Sequence, residues 1–109
     1  MAFQPKGEFA LDRLTDDEII EYISNARDAG ETAFMRSALG VLAYRRLDMV
    51  RAKIALKVGD DSDIEDIAMQ VMTNAIEAKF EGGHMGEFVN LINRAIQFRI
   101  ADFYGAKKH

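Results

Sequence analysis

The sequence predicts an all-α fold, a compact bundle of about four helices. Apolar residues recur at steps of three and four along most of the chain, and no stretch alternates as a strand would. The capping sequences Thr15–Glu18 and Ser62–Glu65 each precede such an apolar stretch. The only proline of the 109 residues is Pro5, so nothing later in the chain forces a helix to stop.

We expect an N-terminal arm over residues 1–14 and a single helical domain over residues 15–109. Side chains of Phe3, Phe9 or Leu11 would hold the arm on the domain. Glycines at positions 30 and 59 would end the first two helices, and close packing of helices would explain Gly40 inside the second. The predicted helices span residues 16–29, 32–58, 63–80 and 87–104.

The third predicted helix has a regular apolar face, with an acidic and polar face opposite it. Met69 falls on the polar face, and an exposed methionine there suits contact with a partner protein. The apolar face comprises Ile64, Ile67, Ala68, Val71, Met72, Ala75 and Ile76.

The fourth predicted helix turns polar side chains outward that can hydrogen-bond base edges and phosphates. Lys107 and Lys108 extend the same line towards backbone phosphates, and Phe98 and Tyr104 are placed to stack on an unpaired base. An ordinary solvated helix face is the alternative. The polar side chains are Asn90, Asn93, Arg94 and Gln97.

Charge alternates along the chain, although the net charge is −4. Residues 33–59 carry six basic and one acidic side chain, whereas residues 60–86 carry one basic and seven acidic side chains. Two basic helices side by side would give an acidic protein a positive face. Alternatively, segments of opposite charge neutralise one another.

Several kinds of site are excluded or disfavoured. The absence of cysteine excludes disulfides, thiol catalysis and thiolate metal sites. His84 and His109 fit surface positions, and the acids of residues 60–66 lack the calcium-loop pattern. No serine or threonine lies in a nucleophile motif, and no apolar run approaches the roughly 20 residues of a membrane helix. We therefore expect a cytoplasmic non-enzyme with no metal, cofactor, small-molecule substrate or membrane contact.

Short motifs in the second half of the chain occur in a particular order. Together they resemble region 2 of the sigma-70 family of RNA polymerase sigma factors, especially the extracytoplasmic-function group and related actinobacterial members. The resemblance covers about Glu31–Lys108. The motifs are Glu65-Asp66-Ile67 with Val71 and Ala75, Phe80-Glu81-Gly82, Gly86-Glu87-Phe88, Arg94, and Arg99-Ile100-Ala101-Asp102-Phe103 before the basic Lys107-Lys108.

The resemblance implies a bacterial protein that confers promoter specificity in transcription initiation. The third helix would dock on the coiled coil of the largest RNA polymerase subunit, with Asp66 as the matching acid. The fourth helix would open and recognise the −10 promoter element, with Arg94, Lys107 and Lys108 facing the DNA. A specificity loop would capture a flipped-out base, and an anti-sigma factor is a further candidate partner.

The resemblance and the side-chain chemistry together give three sets of expected site residues. Polymerase contact is expected at Glu65, Asp66, Met69, Gln70 and Thr73. DNA contact is expected at Asn90, Asn93, Arg94, Gln97, Phe98, Lys107 and Lys108. The specificity loop is expected at Phe80, Glu81, Gly82, Gly83, His84 and Met85.

The chain departs from the family pattern at three places. Met69-Gln70 stands where the family has Gln-Glu or Gln-Asp, Leu91 stands at an aromatic position, and Gln97-Phe98 replaces a frequent Arg-Asn pair. The promoter-reading region 4 has no counterpart, so we expect a domain of a longer sigma factor or a protein acting through region 2 alone. The alternative function is a helical protein–protein module, or a sigma-like regulator that does not read DNA.

Overall fold

Six helices follow one another in the computed structural model, which describes residues 3–107. No strand occurs in this part of the chain, which confirms the all-α prediction, but the helices number six where about four are predicted. None of these helices is both long and apolar enough to cross a membrane. The helices are α1 Glu8–Leu11, α2 Asp16–Asp28, α3 Thr32–Tyr44, α4 Leu47–Ala55, α5 Asp61–Glu77 and α6 Met85–Lys107.

One apolar core joins the helices. α5 lies at its centre and packs against α3, α4 and α6, while α2 covers α3 from the other side. The bundle is elongated, with extents of 53 × 23 × 21 Å. Its largest fully buried side chains include Leu39, Leu42, Ile54, Met72 and Phe88.

The ends of α2 follow the sequence prediction closely. The Thr15 hydroxyl accepts a hydrogen bond from the Glu18 N–H at 3.2 Å, and the Glu18 carboxylate accepts one from the Thr15 N–H at 2.9 Å. At the other end Gly30 has φ of +73°, and the Glu31 N–H donates to the Ala26 carbonyl at 2.9 Å. This left-handed glycine closes the helix as a Schellman motif.

The predicted capping box at Ser62 is wrong. The residue that caps α5 is Asp60, whose carboxylate accepts a hydrogen bond from the Asp63 N–H at 3.1 Å. Ser62 therefore lies within the first turn of the helix. Aspartate and serine are equally good N-caps, so Asp60, Asp61 and Ser62 are all possible caps. The sequence therefore does not determine at which residue α5 begins.

The predicted helix over residues 32–58 is two helices that meet at Arg45 and Arg46. The Arg45 guanidinium donates to the carbonyls of Asp12 and Leu14 at 3.0 and 2.7 Å. Both arginines also bind the Asp16 carboxylate, Arg45 at 3.0 Å and Arg46 at 2.6 Å. The helix thus breaks where two arginines fasten the N-terminal segment, although no glycine or proline marks the position.

The N-terminal arm contains α1 and is packed on the bundle. Leu11 is fully buried, and the Phe3 ring lies 5.1 Å from that of Tyr22 and 6.0 Å from that of Phe34. Phe9 is 76% exposed, so the arm is held through Phe3 and Leu11 and not through Phe9.

Gly40 has more room than close helix packing would leave. A Cβ atom built on it would lie 3.9 Å from the Ile76 Cδ1, which is ordinary van der Waals contact. Close packing therefore does not explain this glycine.

We predict that Gly40→Ala raises the free energy of unfolding by about 1 kcal/mol, because alanine has the higher helix propensity and the added methyl group fits. Urea denaturation followed by circular dichroism measures the change. Gly82→Ala is the contrasting variant: its Cβ would lie 2.6 Å from the buried Phe80 ring, and it should lower stability by about 1–3 kcal/mol. A loss of stability in Gly40→Ala would contradict this account of α3.

Candidate nucleic-acid interface

The outer face of α6 carries the polar side chains predicted to contact DNA. The helix runs for 23 residues, a length of about 34 Å. Asn90, Arg94 and Gln97 are exposed on it. The opposite side of the helix is buried through Phe88, Ile92, Ala95 and Ile96.

Asn93 lies at the edge of this face, where α6 meets α4. Its side chain is half-buried, and its carboxamide oxygen accepts a hydrogen bond from the Lys53 ammonium at 2.7 Å. Further along, the Tyr104 hydroxyl donates to the carbonyl of Lys57. The end of α4 and the turn that follows it therefore run beside α6 between Asn93 and Tyr104.

Two aromatic side chains are accessible on α6. Phe98 is 61% exposed and Tyr104 is 41% exposed. The Arg99 guanidinium carbon lies 5.6 Å from the Phe98 ring centre, so a cation covers part of that ring. Arg99 also reaches Asp102 at 4.0 Å, but its shorter bond, 2.7 Å, goes to Asn74 of α5.

The predicted basic extension lies at the limit of the described residues. Lys107 is the last residue of α6, so the helix ends three residues beyond Tyr104, its predicted last residue. Lys108 lies outside the described residues.

The predicted specificity loop is anchored at its first residue and enters α6 at its last. The Phe80 ring is only 4% exposed and meets the Phe88 ring edge-on at 5.5 Å. Its carbonyl accepts a hydrogen bond from Arg27 at 2.9 Å. The Phe80 ring therefore belongs to the core, while Met85 begins the helix.

The glycines of this loop do not supply positive φ angles. Among the described residues only Gly30 has one. Gly82 is buried instead, and a side chain there would collide with the Phe80 ring. Glu81, Gly83 and His84 are exposed, and His84 lies 3.1 Å from the Glu87 carboxylate in the first turn of α6.

Of the residues predicted for polymerase contact on α5, some already contact other residues of the fold and others are exposed. Met69 is half-buried against the core, so its predicted exposure is wrong, and the Thr73 hydroxyl donates to the Met69 carbonyl at 3.0 Å. Glu65 binds Arg51 of α4 through two bonds of 2.8 and 2.9 Å. Asp66 and Gln70 are exposed and line a cleft between α5 and the end of α6.

The ion pairs of the fold show which charges of the alternating segments neutralise one another. Arg45, Arg46 and Arg51 of the basic segment all bind carboxylates, which is the neutralisation considered above. Lys53 and Lys57 form no ion pair within residues 3–107. Neither lysine is among the DNA-contact residues expected from the sequence. Their four-residue spacing puts them on one helix face, but nothing local says that this face adjoins α6.

No family model, curated protein or solved structure matches the chain. The similarity to sigma region 2 therefore remains a prediction based on the motifs quoted above. What the chain does must follow from its side chains and their arrangement.

The Arg51–Glu65 contact gives a testable pH dependence. Hydrogen bonds from Arg51 lower the pKa of the Glu65 carboxyl below its ordinary value. Because the folded pKa is the lower one, the pair stabilises the fold above the ordinary glutamate pKa. That contribution is lost as the pH falls through the folded pKa.

We predict that an NMR titration of side-chain carboxyls finds the pKa of Glu65 lowered, and that Arg51→Ala returns it towards its ordinary value. Glu18 is the internal control. Its pKa is lowered by the Thr15 N–H and hydroxyl and should stay low in the variant. An unchanged Glu65 titration in Arg51→Ala would show that the pair does not form in solution.

Proposed function

We propose that this chain is a sigma-factor domain 2 that binds core RNA polymerase and contacts the −10 element of promoter DNA in the bacterial cytoplasm. The observation that carries the proposal is the outer face of α6, where Asn90, Arg94 and Gln97 are exposed together. In this proposal the protein is not itself an enzyme but directs one to its promoters. An anti-sigma factor would compete for the same surfaces.

The α6 face has the chemistry that DNA contact requires. Amide side chains of Asn90 and Gln97 donate and accept hydrogen bonds at base edges, and the Arg94 guanidinium pairs with phosphate or guanine. Phe98 and Tyr104 offer ring surface to an unpaired base. The motif order of the sequence and the exposure of these side chains support the same function independently.

The proposed polymerase contact borders the proposed DNA face. Asp66 and Gln70 share their cleft with Asp102 and Phe103. Asp102 lies about 140° around α6 from Gln97 but only about 40° from Phe98. The cleft is therefore directed away from the Gln97 side of the DNA face and adjoins that face at Phe98.

The same cleft is the observation that favours the second candidate, a helical protein–protein module. Its floor contains the apolar side chains of Ile67 and Phe103, and acidic side chains of Asp63, Asp66 and Asp102 surround them. An apolar floor with a charged rim is typical of a protein contact. The two functions differ in whether the α6 outer face binds DNA.

We predict that Arg94→Ala weakens binding of an oligodeoxynucleotide rich in dA and dT about tenfold, which corresponds to roughly 1.4 kcal/mol. Fluorescence anisotropy of the labelled strand and of its duplex measures this. Arg36→Ala removes the same charge from an exposed position of α3 and should leave binding unchanged. Equal binding by wild type and Arg94→Ala would remove α6 from the DNA contact.

We further predict that Asp66→Ala abolishes retention of the chain on the immobilised coiled coil of the largest polymerase subunit. Glu65→Gln should reduce retention much less, since the Glu65 carboxylate is already bound by Arg51. Asp17→Ala on α2 is the charge-matched control. Undiminished retention of Asp66→Ala would contradict the proposed docking site, and no retention of the wild type would favour the protein–protein module.

A further inference from the structure

The last turn of α4, taken together with the turn that follows it as residues 53–57, presents two lysines and a leucine on one face. The Leu56 N–H donates to the Lys53 carbonyl at 3.3 Å and the Lys57 N–H to the Ile54 carbonyl at 2.9 Å, so the helical path continues through Lys57. Residues three and four apart on such a path are neighbours. Lys53, Leu56 and Lys57 therefore form one continuous surface.

This surface adjoins the DNA face of α6. Lys53 bonds to Asn93 and Tyr104 bonds to the Lys57 carbonyl, so both ends of the turn are fixed to α6. An ammonium group has three N–H donors, and the Asn93 oxygen uses one of those on Lys53. The remaining donors of Lys53 are available to an anion while Asn93 holds the side chain in place.

The charges of this turn are not neutralised within the described residues, and its leucine is not packed. Within residues 3–107 neither lysine forms an ion pair, whereas Arg51 on the same helix is bound by Glu65 and Asp48. Leu56 is 80% exposed between the two lysines. Unpaired cations around an accessible apolar group suit a ligand that is both anionic and partly apolar.

The two helices side by side are too wide to enter one major groove of duplex DNA. Each helix with its side chains is about 10–12 Å across, so α4 and α6 side by side span roughly 20 Å. The major groove of duplex DNA is only about 12 Å wide. A single strand, in contrast, can lie along such a surface with its phosphates on one helix and its bases on the other.

We propose that the last turn of α4 binds the phosphates of an unpaired DNA strand whose bases lie over α6. Lys53 and Lys57 bind successive phosphates of the DNA strand, and Leu56 contacts a sugar or base between those phosphates. This inference rests on the proposed function, since it extends the DNA contact of α6 to a second helix.

The test measures anisotropy of a fluorescein-labelled single-stranded oligonucleotide rich in dA and dT, over a range of salt concentrations. Lys53→Ala and Lys57→Ala should each weaken binding about three- to tenfold. Each should also reduce the slope of log affinity against log salt by about 0.7, the amount expected for one lost contact with a single-strand phosphate. Leu56→Ser should weaken binding without changing that slope.

Matched controls come from the N-terminal arm. Lys6→Ala removes an exposed lysine and Phe9→Ala an exposed apolar side chain, and neither should change affinity or slope. Circular dichroism of each variant confirms that the helices are retained.

The outcomes separate this inference from the function on which it rests. If the wild type binds no strand, the proposed function fails and the inference fails with it. If the wild type binds and Arg94→Ala weakens binding while Lys53→Ala and Lys57→Ala do not, the function stands and the inference is overturned. Tighter binding of the duplex than of the single strand would also overturn it.

Discussion

The Asp16 carboxylate, bound by Arg45 and Arg46, is the contact on which the rest of the arrangement depends. Each of these ion pairs is partly exposed and by itself contributes little free energy. Their importance is geometric, because Arg45 also binds carbonyls at the end of the arm. The cluster ends α3, fastens the N-terminal segment and redirects the chain into α4.

The redirected α4 then makes both contacts that shape the candidate surfaces. On one side Arg51 binds Glu65 and engages a carboxylate of α5 that the resemblance assigns to polymerase contact. On the other side Lys53 binds Asn93 and brings α4 beside the face of α6 that carries Asn90, Arg94 and Gln97. The turn between α3 and α4, held by Asp16, thus sets the position of the helix that carries Arg51 and Lys53 to the two candidate surfaces.

Local patterns predicted much of this structure, and tertiary contacts account for what they missed. Helical periodicity identifies the buried face of α6, and the Thr15 box and Gly30 locate the ends of α2 because the interactions are local. No local pattern predicts the break between α3 and α4, because Arg45 and Arg46 are both good helix formers. Their partner Asp16 is distant in sequence. For the candidate site, exposure of Arg94 follows from periodicity, but the burial of Phe80 does not, because a loop residue's surroundings are set by the whole fold.

We propose that the outer face of α6 and residues 53–57 bind one DNA strand together. A ¹H–¹⁵N NMR titration of the chain with a single-stranded oligonucleotide is the decisive measurement. We expect the largest shift changes on the amides and side chains of Asn90, Arg94 and Gln97 and on residues 53–57. Shift changes concentrated instead on α2 and α3, with these positions unaffected, would contradict it.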